Sequence, residues 1–285
     1  MKERTWTIRD VLDWATQDFE ARGIESPRLD AELLVAEALG MDRIGLYLDL
    51  GRPLLERERD AIRPLLIRRR EREPVAYILG HRDFYGRRFS VTRDVLIPRP
   101  DTETLVEHAL GVIAEDAALR VADVGTGSGA IAISIAAERP RVHVVATDLS
   151  QAALAVASEN ALAMGVANRV HFEQANLFGN EGSFDLVLSN PPYIRRADMP
   201  GLQAEVRDYE PSDALAGGDD GLDIVRMLIE RASEVTVPDA QMLVEIGAGQ
   251  AAEVKDIANH CTNWEHIATY LDLNKVERVA HLRRT

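Results

Sequence analysis

The spacing of apolar residues changes character twice along this chain. Ile8, Val11, Leu12, Ala15 and Phe19 recur at helical intervals, and Gly23 marks a stop. Ser26-Pro27 then supplies an N-cap residue followed by a proline at the first helical position, and Leu29, Leu33 and Leu34 carry a second helix toward Gly40. A third helical stretch covers Leu54 to Arg70, with a break or kink expected at Pro64, which has no N–H to donate. No catalytic constellation lies on these helices. Residues 1–75 therefore read as a small helical bundle that binds a partner or braces the rest. The run Arg68-Arg69-Arg70-Glu71-Arg72 at its end reads as a solvated helix terminus, with partner contact as the other reading.

Residues 76–100 change to short apolar and aromatic runs. Tyr77 to Gly80, Phe84-Tyr85-Gly86 and Phe89 to Val91 are expected as strands around a glycine turn, a hairpin linker between two domains. Pro98-Arg99-Pro100 holds the chain out of helix until Asp101, which is a good N-cap. From 101 to 285 the pattern alternates. Strands are expected at Leu119–Val124, Val142–Thr147, Val170–Gln174, Phe184–Ser189, Gln241–Ile246, His266–Leu271 and Val276–His281. Helices are expected at Ala130–Glu138, Ser150–Met164, Leu222–Val235 and Gln250–Asn259. Such alternation predicts an α/β fold, a parallel sheet with helices on both faces.

Composition narrows the classes. In 285 residues, 46% are hydrophobic and 28% charged, enough for one large core and a smaller second one. No apolar run approaches the roughly 18 residues of a membrane span, and the start MKERTWTIRD has no signal-peptide core. The lone Cys261 excludes an internal disulfide framework and fits a reducing cytoplasm, so a cytoplasmic protein with no membrane partner is expected. A net charge of −14 argues against a general nucleic-acid binder, which needs a basic surface to displace counterions from phosphates. No direct nucleic-acid partner and no metal are expected, and a monomer is the default.

Two short stretches carry the candidate chemistry. The first strand of the alternating region runs into Asp123-Val124-Gly125-Thr126-Gly127-Ser128-Gly129, and a helix follows. Glycines here let the backbone turn sharply and approach a ligand closely, beside the free N–H groups of the helix start. Asp148 ends the next strand about twenty residues on, where an acid can accept hydrogen bonds from both ribose hydroxyls of a nucleoside. Gly125, Gly127 and Ala130 also satisfy the dinucleotide pattern, so a nicotinamide or flavin nucleotide remains an alternative to S-adenosylmethionine. Asp123 favours the latter, since an acid before the first glycine engages a cationic amino-acid end and repels a pyrophosphate. The second stretch is Asn190-Pro191-Pro192-Tyr193, which ends an apolar strand abruptly. Two prolines fix the backbone and leave carbonyl oxygens as rigid acceptors. The Asn190 side-chain oxygen and the Pro191 carbonyl can each accept one hydrogen of a flat NH2 group, and Tyr193 can stack on it. That grip aims a planar nitrogen at a methyl donor without metal or strong base.

At these residues the chain resembles the glutamine methyltransferases of peptide-chain release factors, the HemK/PrmC group. The match runs nearly end to end. It includes Glu73-Pro74-Val75-Ala76-Tyr77-Ile78-Leu79-Gly80, Phe84-Tyr85-Gly86, Leu96-Ile97-Pro98-Arg99-Pro100-Asp101-Thr102-Glu103, the glycine loop, Asn190 to Tyr193, and Glu210-Pro211 with Ala214-Leu215 and Gly217-Gly218. The resemblance implies a class I methyltransferase domain at 101–285 with a mostly parallel seven-stranded sheet. It implies S-adenosyl-L-methionine as cofactor and, as substrate, the glutamine of the Gly-Gly-Gln loop in release factors 1 and 2. It also implies roles: Gly125 to Gly129 around the methionine part, Asp148 on the ribose, Asn190 to Tyr193 on the glutamine, and the helices and hairpin on the release factor. Where family members carry an acid and an aromatic beside the adenine, this chain has Ala175-Asn176-Leu177-Phe178. Asn176 is then the expected acceptor, with Leu177 or Phe178 as cover. Arg99 is expected to touch the cofactor carboxylate or the substrate backbone, with an ion pair that fixes the linker as the other reading. Nucleic-acid adenine methyltransferases share the Asn-Pro-Pro-Tyr turn and form one rival reading; a non-enzymatic interaction protein forms another.

Overall fold

In the computed structural model, which describes residues 5–180, 182–261 and 263–285, the first helix starts where its cap dictates. The Thr7 side chain accepts from the Asp10 N–H, and the Asp10 carboxylate accepts from the Thr7 N–H at 2.9 Å. Two orphan donors of the helix start are thereby satisfied. The helices α1 (Ile8–Ala21), α2 (Pro27–Leu39), α3 (Arg43–Leu48), α4 (Glu56–Arg70) and α5 (Val75–Leu79) pack around fully buried Ile8, Leu12, Phe19, Leu34 and Leu46. Two expectations are corrected here. Of the break or kink expected at Pro64, the break is absent, since helix α4 is continuous from Glu56 to Arg70. Pro64 and Asp60, whose carbonyl loses its usual donor, both lie on the exposed side, within reach of solvent. Val75–Leu79 is helical rather than a strand, because Pro74 sets the entry angle and Gly80, at φ 76°, closes the turn in the left-handed region.

The chain forms two compact units, one running up to Gly80 and including Gln203–Tyr209, the other His81–Leu202 with Glu210–Thr285. Within the first unit the arginine run is spent on internal ion pairs. Arg69 is 5% exposed and donates to Asp30 at 2.8 Å and to Glu205 at 2.8 Å. Arg72 also donates to Glu205, Arg68 to Glu73, and Arg70 to Asp18. Burial pushes the Asp30 carboxyl up, and the neighbouring Arg69 pulls it back down.

The second unit opens with a hairpin, β1 (His81–Phe84) and β2 (Arg87–Ser90), turned by Tyr85 and Gly86, both at positive φ. Phe84 and Phe89 are buried edge to face, 5.9 Å apart, in one cluster with Leu105 and Val106. The hairpin is thus part of this unit's core and not a separate linker spanning 76–100. Next come α6 (Glu103–Val112), β3 (Arg120–Val124), α7 (Ala130–Glu138), β4 (His143–Asp148), α8 (Gln151–Ala163), β5 (Val170–Gln174) and β6 (Phe184–Ser189). After α9 (Ala204–Tyr209), which belongs to the first unit, follow α10 (Asp223–Val235), β7 (Thr236–Glu245), α11 (Ala251–His260), β8 (Trp264–Leu271) and β9 (Glu277–Arg284). The seven strands β3–β9 form one sheet in the order β5-β4-β3-β6-β7-β9-β8. It is parallel from β3 to β7, and β9 runs antiparallel to both neighbours. Alternate residues feed two cores, Val121 and Leu186 on one face, Ala122 and Val187 on the other. Strands buried on both faces read as continuous apolar runs, which is why their positions were legible. The chain order reverses between β3 and β6, and the crevice at their carboxyl ends is the place where such sheets bind ligands.

Arg69→Ala leaves the buried Asp30 without its cation and Glu205 with Arg72 alone. The expected cost is about 3–5 kcal/mol to the first unit, measured by urea unfolding with amide exchange read in α2 and α4.

Candidate active site

The glycine loop follows β3 and is held from beneath. The Gly125 and Thr126 N–H groups both donate to the Thr147 carbonyl of β4 at 2.9 Å. Asp123 is 0% exposed, and its Oδ2 accepts from the Thr126 hydroxyl at 2.6 Å and from the Ala132 N–H at 3.1 Å. Its Oδ1 is buried with no hydrogen-bond partner in the structure. Burial pushes the Asp123 carboxyl up to about 6, with Asp148 adding to the rise and the Thr126 and Ala132 donors opposing it. Gly129 caps α7 at φ 82°, and the Ser128 carbonyl accepts from Asn160 Nδ2 at 2.9 Å. The same Asn160 brackets Ser90, accepting from its N–H and donating to its carbonyl, so the hairpin end and the loop share one support. Thr126 and Ser128 are both buried; their sequence-based role as cofactor contacts leaves the Thr126 hydroxyl committed to Asp123.

Asp148 stands at the carboxyl end of β4, half-buried. Its two oxygens accept from the Gly127 N–H and the Ser150 N–H, each at 2.9 Å. A carboxylate has about four acceptor sites, so capacity remains for hydroxyl donors. After β5, Asn176 is exposed and Leu177 is partly buried at φ 69°, with its carbonyl accepting from the Thr147 hydroxyl. Phe178 instead packs into the core beside Phe184, ring centroids 6.3 Å apart. Of the two apolar residues expected as adenine cover, Leu177 is the one left near the loop.

The turn Asn190–Tyr193 leaves β6 beside the glycine loop, since Val124 and Ser189 are direct partners. Asn190 Nδ2 donates to Thr102 Oγ1 at 3.1 Å, which turns Oδ1 away from Thr102. Pro191 is buried. The Tyr193 hydroxyl points at Glu245 Oε1, 3.5 Å away. Burial and the Glu245 charge push the phenol up to about 12, so it stays a donor across the physiological range. Gln250 fixes the exit of the turn: its Nε2 donates to the Tyr193 and Gly221 carbonyls, and its Oε1 accepts from the Gly247 N–H at 2.8 Å. Gly217 passes so close that a Cβ would lie 2.6 Å from the Pro192 carbonyl oxygen and 2.8 Å from Tyr193 Cα. That contact gives Gly217 its reason.

Arg99 donates to Glu210 Oε1 at 2.6 Å, and Glu210 Oε2 accepts from the Ile97 N–H. The ion-pair reading of Arg99 therefore describes its main contact, although its charge is still felt at Tyr193. The sheet thus gathers Asp123, the glycines, Asp148 and Asn190–Tyr193 at neighbouring strand ends. Thr102, Glu245 and Gln250 escaped the sequence reading. Glu245 alone left a signal, a charge at the end of the apolar run Met242-Leu243-Val244. Among the described residues no group of three His, Cys, Asp or Glu side chains forms a metal site, and no helix is long and apolar enough to cross a membrane.

Comparison with known proteins agrees with this architecture. Residues 10–80 match the family described as the PrmC N-terminal domain, and residues 101–204 match the methyltransferase small domain. A release factor glutamine methyltransferase of Geobacter sulfurreducens is 45% identical over 280 residues, covering 98% of this chain and 97% of its own. Its namesake in Nitratidesulfovibrio vulgaris is 40% identical, covering 98% of this chain and 95% of its own. A methyltransferase crystal structure from Pyrococcus furiosus superposes with a TM-score of 0.53 at 14% identity, over 70% of this chain and 90% of that one, a likeness of fold. With both units matched and identity this high over nearly the whole length, the chain belongs to the release factor glutamine methyltransferase family.

Proposed function

We propose that this methyltransferase moves the methyl group of S-adenosyl-L-methionine to the side-chain amide nitrogen of the glutamine in the Gly-Gly-Gln loop of release factors 1 and 2. The observation that carries the reading is the Asn190 amide, committed through Nδ2 to Thr102 and standing one β-ladder away from the glycine loop. With Nδ2 engaged, Oδ1 is an acceptor for one hydrogen of the substrate NH2, and the rigid Pro191 carbonyl is an acceptor for the other. Two acceptors on a planar nitrogen fix its orientation and draw electron density onto it. Tyr193 offers a flat, partly buried ring for the amide plane. Positioning supplies much of the rate in such an arrangement.

The residues present fit the cofactor. Gly125 and Gly127 sit at positive φ, and a Cβ built on either would meet nothing within 4 Å, so the loop backbone faces open space that a ligand can enter. The orphan Oδ1 of Asp123 is an acceptor without a donor, suited to a cationic amino-acid end. Asp148 would hold the ribose, and Asn176 and Leu177 the adenine. When bound, S-adenosylmethionine supplies a methyl group activated by a positively charged sulfur. The protein's part is to orient the nitrogen, exclude water from it and let the surplus proton leave to solvent. The PrmC-type helices and the hairpin are proposed to hold the release factor.

Labelled-methyl transfer to purified release factor 1 or 2 tests the whole reading, with RNA and DNA as alternative acceptors. Label is expected on the release factor alone and is lost when its Gly-Gly-Gln glutamine is replaced; label on nucleic acid instead would overturn the assignment. Asn190→Ala is expected to lower kcat by about 10²–10³-fold while cofactor binding, read by calorimetry, persists. Asp148→Ala is expected to weaken cofactor binding at least about tenfold, because it removes the ribose acceptor and frees the Gly127 N–H from its anchor.

A further inference from the structure

Thr147, the last residue but one of β4, is 2% exposed, and both of its polar groups reach loops at the crevice. Its carbonyl accepts from the Gly125 and Thr126 N–H groups, each at 2.9 Å, which pins the glycine loop. Its hydroxyl is hydrogen-bonded to the Leu177 carbonyl, which pins the loop after β5. A carbonyl has no proton to give, so the direction of that bond is fixed and Thr147 donates. Asp148 follows directly, with its oxygens on the Gly127 and Ser150 N–H groups. Two consecutive residues thus touch all three parts of the crevice that a nucleoside joined to an amino acid would occupy.

Leu177 is the unusual member of this set. Its φ is 69°, in the left-handed region, where a Cβ crowds the following carbonyl and leucine is rarely found. Such a conformation persists where the surroundings over-determine it. Before it, the Ala175 N–H donates to the Asp148 carbonyl at 3.0 Å. After it, Phe178 packs in the core beside Phe184, and the N–H and Nδ2 of Asn180 both donate to Glu173 Oε1 at 3.0 Å. A Cβ on Gly179 would lie 2.0 Å from Glu173 Oε2, so the chain passes too close to that carboxylate for a side chain. These contacts hold the flanks of the loop. Among the described residues, the donor to the Leu177 carbonyl itself is Thr147.

We infer that Thr147 is a positioning residue for the cofactor: its hydroxyl keeps Leu177 in the left-handed region and so sets the adenine wall at a fixed distance from the glycine loop, which its carbonyl holds. The inference deepens the proposed function and rests on it, since it presumes that Leu177 covers the adenine and the glycine loop the methionine part. A wall already in place spares the ligand the cost of ordering the loop, so loss of the hydroxyl appears as lost cofactor affinity.

The experiment is calorimetric binding of S-adenosylhomocysteine, the cofactor without its methyl group, to the full chain, with affinity and stoichiometry read from the same titration. The proteins compared are wild type, Thr147→Val, Thr147→Ser, Leu177→Gly and the Thr147→Val, Leu177→Gly double variant. Valine keeps the shape and the backbone carbonyl of Thr147 and removes the hydroxyl alone. Thr147→Val is expected to raise Kd about tenfold at unchanged stoichiometry, and Thr147→Ser to recover most of that loss. In Leu177→Gly both the wall side chain and the backbone strain are gone, so adding Thr147→Val is expected to cost less than about threefold. An unchanged Kd in Thr147→Val, a loss of stoichiometry alone (the mark of a folding defect), a serine variant as impaired as the valine one, or additive losses in the double variant would each overturn the positioning role while leaving the functional reading intact. A wild-type protein that does not bind S-adenosylhomocysteine would sink the functional reading and this inference with it.

Discussion

Val124 pairs with Ser189 across β3 and β6, and the Ser189 hydroxyl donates to the Val124 carbonyl at 2.7 Å. The next residue on one strand is Gly125 and on the other Asn190. A parallel register in a sheet buried on both faces cannot slip by one residue without sending every apolar side chain to the wrong core. The separation between glycine loop and proline turn is therefore set by the packing of Val121, Leu186, Ala122 and Val187, far from either loop. The chemistry inherits its geometry from the hydrophobic effect.

Each loop is then locked by a polar side chain from elsewhere in the unit. Asn160 holds the glycine loop through the Ser128 carbonyl, and Gln250 holds the proline turn through the Tyr193 carbonyl. Both amides are buried with several of their hydrogen bonds made, the condition under which a buried polar group rigidifies rather than destabilises. The exceptions are informative. Asp123 Oδ1 and Glu245 Oε2 are buried acceptors left without partners, and both carboxyls are pushed well above their usual range. Arg59 Nε, Arg72 Nε and Glu173 Oε2 are buried without partners elsewhere, but these two carboxylates stand at the crevice, where an unpartnered acceptor is available to a ligand.

Much of this was legible in the sequence because the signals were local. Strand β6 and helix α7 fall where an apolar run and the glycine loop put them. The run from Tyr77 to Gly80 misled because a short apolar segment has no period to read, and the deciding residue was Pro74, outside the run. Pro64 misled because its cost depends on whether the orphaned carbonyl meets water, a fact of the folded molecule. Thr102, Glu245 and Gln250 were out of reach for the same reason: their partners lie dozens of positions away, and only the closed sheet brings them together.

The chain passes from one unit to the other after Gly80, returns for Gln203–Tyr209 and leaves again. Glu205, carried on that brief return, is the carboxylate shared by Arg69 and Arg72. A gene fragment ending at Gly80 would encode the helical bundle with two guanidinium groups missing their common counter-ion. Neither unit is a cassette that recombination could lift out whole, and a chimaera joining this bundle to another catalytic half would have to carry an acid at the corresponding return to keep it.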